Sequence, residues 1–265
     1  MLTFDLHDTT AVVTGGSSGI GLATARLFLR AGAAVALCGR DEARLQAAQR
    51  QLLEEFPQAR LLAHACDVLQ REQVEGFARR VEERFGGADV LVNNAGQGRV
   101  STFADTSDEA WTEELRLKFF SLVYPTRAFL PLLQRSGKAA VVCVNSLLAL
   151  QPEAHMVATS AARAGTQNLI RSMATEFAPL GIRVNSILIG LVESGQWQRR
   201  FEAREDKSVG WAQWTAALAA RKGIQLGRLG KPEEAAQAIF FLGTPLSSYT
   251  TGGHVDVSGG LARHI

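Results

Sequence analysis

Short, largely apolar runs alternate along the chain with stretches of helical pattern, and this rhythm constrains the fold more than any other feature. The runs are Ala11–Thr14, Ala34–Cys38, Arg60–Ala65, Val90–Val92, Ala139–Val144 and Arg183–Leu188, with a short last one at His254–Val257. Most are continuously apolar rather than alternating. That is the signature of strands covered on both faces, as in a parallel sheet with helices above and below. Between them the pattern predicts helices over Ile20–Ala31, Glu42–Phe56, Arg71–Phe85, Ser107–Gln134 and roughly His155–Pro179. Asp41 and Ser107 are placed to cap two of these, and Asp108 and Glu109 favour the positive end of the second. A repeated β-α-β order predicts an α/β fold with right-handed crossovers.

Nothing divides the 265 residues into domains: there is no repeat, no low-complexity linker and no shift in composition. The exception to the rhythm is Leu191–Arg228, which holds Trp197, Trp211 and Trp214. An excursion of that length reads either as a substrate-binding segment or as a helical hairpin buried by its tryptophans; the two readings are compatible.

Composition narrows the function classes. No purely apolar run exceeds six residues, as in Ala33–Cys38, so no membrane span is expected. Asp5 and Asp8 stand where a secretory signal would carry basic residues. With 28 basic and 26 acidic residues the net charge is +2, and no basic block exceeds a pair, so nucleic acid is not expected as a partner. Cys38, Cys66 and Cys143 are single and widely spaced, which fits reduced, buried thiols in the cytoplasm. His7, His64, His254 and His264 show no metal-ligand spacing, and no metal is expected.

Thr14-Gly15-Gly16-Ser17-Ser18-Gly19-Ile20-Gly21 follows the first strand and opens the first helix. Glycines there permit a tight turn, and the free amides at the helix start attract a pyrophosphate, so the turn predicts dinucleotide binding through Gly15, Ser17, Ser18, Gly19, Ile20 and Gly21. Gly15–Gly19 also matches a Gly-x-Ser-x-Gly nucleophile elbow. That elbow usually follows several strands, and no oxyanion motif precedes Ser17. Strand two ends at Cys38-Gly39-Arg40, without the acid that would hold the ribose hydroxyls of NAD(H). Arg40 is suited to a 2′-phosphate, which points to NADP(H); the alternative is a solvated surface arginine. Asp41 is either a helix cap or a ribose ligand.

Further motifs follow in order: Asn93-Asn94-Ala95-Gly96 after strand four, Ser146 after strand five, Arg183-Val184-Asn185-Ser186 in strand six, and Gly259-Gly260 near the end. Together with the glycine turn, and over essentially the whole chain, they resemble the short-chain dehydrogenase/reductase family. The resemblance implies a single-domain Rossmann-type doubly wound fold over residues 1–265, with a seven-stranded parallel sheet flanked by helices. It also implies hydride transfer between a nicotinamide cofactor and a carbonyl or alcohol, and a homotetramer. By the same resemblance Asp67 and Val68 lie beside the adenine, and Asn94, Ala95 and Gly96 under the cofactor's ribose. Gly190, in an Ile-Gly where the family has Pro-Gly, and Val192 lie near the nicotinamide.

The catalytic positions depart from the family's Asn, Ser, Tyr and Lys. Ser146 fits, but Thr159 stands thirteen residues on, Arg163 four beyond that, and Lys118 seven after Trp111. An aliphatic alcohol such as Thr159 is a poor general acid unless relayed, and Arg163 holds charge and ribose but passes no proton. Arg163 nearby would push Lys118 down toward a useful pKa. Lys118 is therefore the expected proton-handling or electrostatic group, with Thr159 as relay, Ser146 on the substrate oxygen and Arg163 on the ribose. His155, one turn before Thr159, is the second choice. Two functions fit: an NADP(H)-dependent oxidoreductase acting on a small carbonyl or alcohol with an apolar part, or a catalytically silent NADP(H)-binding sensor or partner subunit.

Overall fold

The computed structural model describes residues 5–263. A seven-stranded sheet forms the middle layer: β1 Thr10–Thr14, β2 Ala34–Gly39, β3 Leu61–Ala65, β4 Val90–Asn93, β5 Ala140–Ser146, β6 Arg183–Ile189 and β7 His254–Val257. All neighbouring pairs are parallel, in the order β3-β2-β1-β4-β5-β6-β7. The strands fall where the apolar runs place them, within a residue or two at each end. β5 runs far enough to include Ser146, which pairs with Ile189 at the carboxyl edge of the sheet.

The helices are α1 Gly19–Arg30, α2 Glu42–Glu55, α3 Arg71–Phe85, α4 Asp108–Gln134, α5 Val157–Phe177, α6 Gly195–Glu202, α7 Trp211–Lys222 and α8 Pro232–Gly243. Strand side chains alternate between the faces, and this divides the core. Val12, Leu91, Val141 and Cys143 pack with α3, α4 and α5. Ala11, Val13, Val35, Val90 and Val142 pack with α1, α2 and α8. Both faces are dry, which explains why the runs lack polar alternation. Cys38, Cys66 and Cys143 are free thiols and buried. Among the described residues no helix is long and apolar enough to cross a membrane.

Both capping assignments hold. Ser107 Oγ accepts from the Ala110 amide at 3.3 Å and Asp41 Oδ1 from the Arg44 amide at 3.0 Å. Leu191–Arg228 contains α6 and α7. Trp197 and Trp214 lie 6.3 Å apart, and both pack on a third apolar cluster built from Leu147, Leu188, Leu218, Ile224, Leu229 and Leu261.

The strand order reverses between β1 and β4, which leave the sheet side by side. Ligands of open parallel sheets bind at the carboxyl ends beside such a reversal. The loops after β1, β4, β5 and β6 converge there.

Candidate active site

The loops at this edge enclose a cavity of about 670 Å³. One end is the glycine turn. Gly19 has φ +54°, and a Cβ there would meet nothing within 4 Å, so the backbone alone faces the cavity. Ser18 starts α1 without a side-chain cap, and the first turn has no acidic residue. Those amides and their dipole are left for an anion. Gly21 lies behind the turn and does not line the cavity; a Cβ on it would sit 2.3 Å from the Gly15 carbonyl oxygen. Its glycine serves helix-to-turn packing rather than ligand contact. Asn94 braces the turn from β4, its Nδ2 donating to the carbonyls of Thr14 at 2.9 Å and Gly15 at 3.1 Å.

Beyond the turn the cavity is lined by Arg40, Asp41, Arg44, Cys66, Asp67 and Val68. Asp41 is committed to its cap: it accepts from the Arg44 backbone and, at 2.7 Å, from Arg44 Nε, and these bonds hold its carboxyl below the usual range. The cap expected of Asp41 is formed, and the residue also lines the cavity. Arg40 is exposed, faces the cavity and makes no hydrogen bond or ion pair among the described residues.

Ser146, Arg163, Gly96, Gly190 and Val192 line the other end. Ser146 Oγ lies 3.4 Å from the Ile189 carbonyl and accepts from the Leu148 amide at 3.3 Å. Arg163 reaches in from α5. Its Nη1 donates to the Val144 carbonyl at 2.9 Å, while its Nε is buried without a partner. Its Nη2 points toward Gly96, where a Cβ would come within 3.8 Å. Burial pushes its pKa down to about 10, which leaves the guanidinium charged at neutral pH. Spare donors on Arg163 and Arg40, and the open amides of the turn, suit a ligand with phosphates at one end and hydroxyls at the other.

Two expected residues are not on the cavity wall. Lys118 and Thr159 are 3% and 2% exposed and lie behind it. The reason is Glu114, which sequence reading passed over. It stands one turn before Lys118 on α4, and its Oε1 is 2.7 Å from Lys118 Nζ and 2.5 Å from Thr159 Oγ1. Lys118 also donates to the Gln97 carbonyl. The proximity of Lys118 to Arg163 is as anticipated: burial first, and Arg163 second, lower its pKa to about 8. An acid spaced i, i+4 from a lysine was the available signal, but such pairs are ordinarily solvated helix-surface pairs.

His155 does line the cavity, with its side chain 53% exposed and Nε2 3.1 Å from Glu153, which also holds Lys222 of α7 at 2.7 Å. Trp197, Leu191 and Leu218 add an apolar wall. Among the described residues no group of three or more His, Cys, Asp or Glu side chains could hold a metal ion; His264 lies outside the described residues.

A parallel sheet in this order, a glycine turn at the reversal, and a serine and a basic residue lining the far end of the same cavity define a dinucleotide-dependent oxidoreductase architecture. Residues 15–262 match a family model described as enoyl-(acyl carrier protein) reductase. The chain belongs to the short-chain dehydrogenase/reductase family. It is similar to a short-chain oxidoreductase of Pseudomonas aeruginosa PAO1 described as containing an atypical catalytic center, solved without ligand and with NADPH. The identity is 68%, over 99% of this chain and 100% of that one, with TM-scores of 0.97 and 0.96. L-sorbose reductase from Gluconobacter frateurii, solved with NADPH and L-sorbose, is 32% identical over the whole of both chains, with a TM-score of 0.94. A 3-oxoacyl-[acyl-carrier-protein] reductase of Thermotoga maritima is 30% identical over 97% of this chain and 98% of its own.

Proposed function

We propose that the protein is an NADP(H)-dependent oxidoreductase that interconverts a carbonyl and an alcohol through an altered centre made of Lys118, Ser146, Thr159 and Arg163. The observation that carries this reading is the single cavity joining the phosphate turn and Arg40 to Ser146 and Arg163. The NADPH-bound relatives support the choice of cofactor. The nicotinamide supplies hydride transfer when bound.

The remaining work falls to the chain. The amides of Ser18–Ile20 and the dipole of α1 hold the pyrophosphate, and Arg40 holds the 2′-phosphate. Asp67 and Val68 flank the adenine; Ala95 and Gly96 bring backbone close to the ribose, and Arg163 binds its hydroxyls. Asn94 contributes by fixing the turn. Gly190 and Val192 shape the nicotinamide end. Ser146 donates to the substrate oxygen. Lys118 and Arg163 place two positive charges behind that oxygen and stabilise the negative charge that develops there during reduction. Thr159 is bonded to Glu114 and stands off the cavity wall, so the electrostatic role of Lys118 is the better supported one and a relay through Thr159 the lesser. Trp197, Leu191 and Leu218 suit a substrate with an apolar part, and the 191–228 segment acts as the substrate wall.

One observation favours the rival reading of a silent NADP(H)-binding sensor or partner subunit: Lys118 and Thr159 are sealed off from the cavity. NADPH oxidation measured against a broad panel of carbonyl compounds, beside a binding titration, separates the two. Turnover of any member supports the enzyme; tight binding with no turnover across the panel favours the sensor. The family's assembly also leads us to expect a homotetramer working in the cytoplasm. Sedimentation in dilute buffer should give four times the chain mass, and a stable monomer would contradict this.

A further inference from the structure

Glu114 has no place in the family's tetrad, yet its carboxylate touches two of the three altered positions at once. We propose that Glu114 is the positioning residue of this centre, keeping Lys118 charged and anchoring the Thr159 hydroxyl. The inference rests on the electrostatic role given to Lys118 above.

The geometry is that of a closed buried cluster. Glu114 and Lys118 are each only 2% exposed at the side chain, and the i, i+4 spacing on α4 turns both toward α5. The same oxygen, Oε1, lies 2.7 Å from Lys118 Nζ and accepts from Thr159 Oγ1 at 2.5 Å. Thr159 Oγ1 is also 3.3 Å from the Arg99 amide and 3.2 Å from its carbonyl, so its position is fixed on three sides. A buried ion pair is poor at adding stability, and removing one partner leaves an uncompensated charge. Such a pair is therefore informative about what the remaining charge is for.

Lys118 faces charges from three elements. Arg163 on α5 and Arg99 on the loop after β4 repel its ammonium, and Glu114 on its own helix attracts it. Glu113, the next acid, is held at the surface by Arg99 at 2.6 Å. Burial and Arg163 bring the Lys118 pKa down to about 8, and Glu114 opposes both. Without that carboxylate two cations and the buried surroundings act unopposed, and Lys118 holds its proton more weakly still. The Thr159 hydroxyl would at the same time lose its charged acceptor.

The test needs no substrate. Thermal midpoints of the full chain are measured from about pH 6 to about pH 10 for wild type, Lys118→Met, Glu114→Gln and the double variant. A lysine held below its ordinary value binds its proton more weakly in the folded than in the unfolded chain. Stability from this group therefore rises as pH climbs from about 8 toward the ordinary lysine range. The difference between wild type and Lys118→Met contains that rise, read above the pH range in which the Glu114 carboxyl left unpaired in the variant takes up its own proton. The difference between Glu114→Gln and the double variant isolates it in the absence of the carboxylate, where its onset should move down by about one pH unit or more. An unmoved onset overturns the proposal. If Glu114→Gln alone does not fold, the double variant should, because it removes the uncompensated cation as well; a double variant that also fails to fold would assign Glu114 to the helix rather than to Lys118 and overturn the proposal. Where wild type turns a carbonyl over, the high-pH limb of its rate should move down in Glu114→Gln by the same amount. A wild type that turns nothing over defeats the catalytic reading, while the melting series still decides the role of Glu114.

Discussion

Lys118→Met should lower NADPH-dependent carbonyl reduction by about 10²-fold or more, the scale of a lost electrostatic or acid–base contribution, with NADPH affinity nearly unchanged. The second half of that expectation follows from placement. Lys118 does not line the cavity, so its removal takes no wall residue from the cofactor's site; it takes a positive charge from beside Arg163. The pH profile carries the sign. With a pKa of about 8, the ammonium is present at neutral pH and lost as pH rises, so reduction should fall through about pH 8 in wild type. That limb should vanish in Lys118→Met. Methionine keeps an unbranched apolar stem, and circular dichroism would check that the fold survives the unpaired Glu114. Thr159→Tyr should not restore ordinary family activity, because Arg163 does not pass protons as the family's lysine does. Unchanged turnover in Lys118→Met would sink the proposal and move the acid role to His155, which faces the cavity beside Glu153.

The sheet was legible because its cause is local. A strand buried on both faces has to be apolar throughout, and Ala34–Cys38 and Ala139–Val144 announce this without any knowledge of their neighbours. The phosphate turn was legible for a similar reason: a strand, a glycine-rich turn and a helix start are contiguous. Arg163 and Ser146 also came out on the cavity, since each sits at a fixed distance from an element that the pattern places. What the sequence hid depends on contacts across elements. Lys118 reads as a lysine near a cation. That it is turned inward, away from the cavity and onto Glu114, follows from how α4 packs against α5, which spacing along one helix does not record. The two aromatic readings of the 191–228 segment were never in conflict: Trp214 packs on the third apolar cluster, while Trp197 both packs there and faces the cavity.

Arg40→Ala should weaken NADPH by roughly 10- to 150-fold, the equivalent of about 1.5–3 kcal/mol for a charge-assisted contact to the 2′-phosphate, and leave NADH nearly unaffected. The structure sharpens this expectation. Among the described residues Arg40 has no hydrogen-bond or ion-pair partner, so its guanidinium meets a phosphate without first breaking a bond to them. The adjacent acid, Asp41, accepts from the Arg44 backbone amide and from Arg44 Nε, so it pairs with Arg44 rather than with Arg40. Arg44 lines the same end of the cavity, but its Nε is spent on Asp41 at 2.7 Å. It can supply only its terminal nitrogens, and Arg40→Ala should therefore keep a small residual preference for NADPH that disappears in Arg40→Ala/Arg44→Ala. Titration of both dinucleotides into wild type and the two variants measures each step. A wild type that binds NADH as tightly as NADPH would show that Arg40 is a solvated strand-end arginine, and the missing acid after β2 would then have no bearing on cofactor choice.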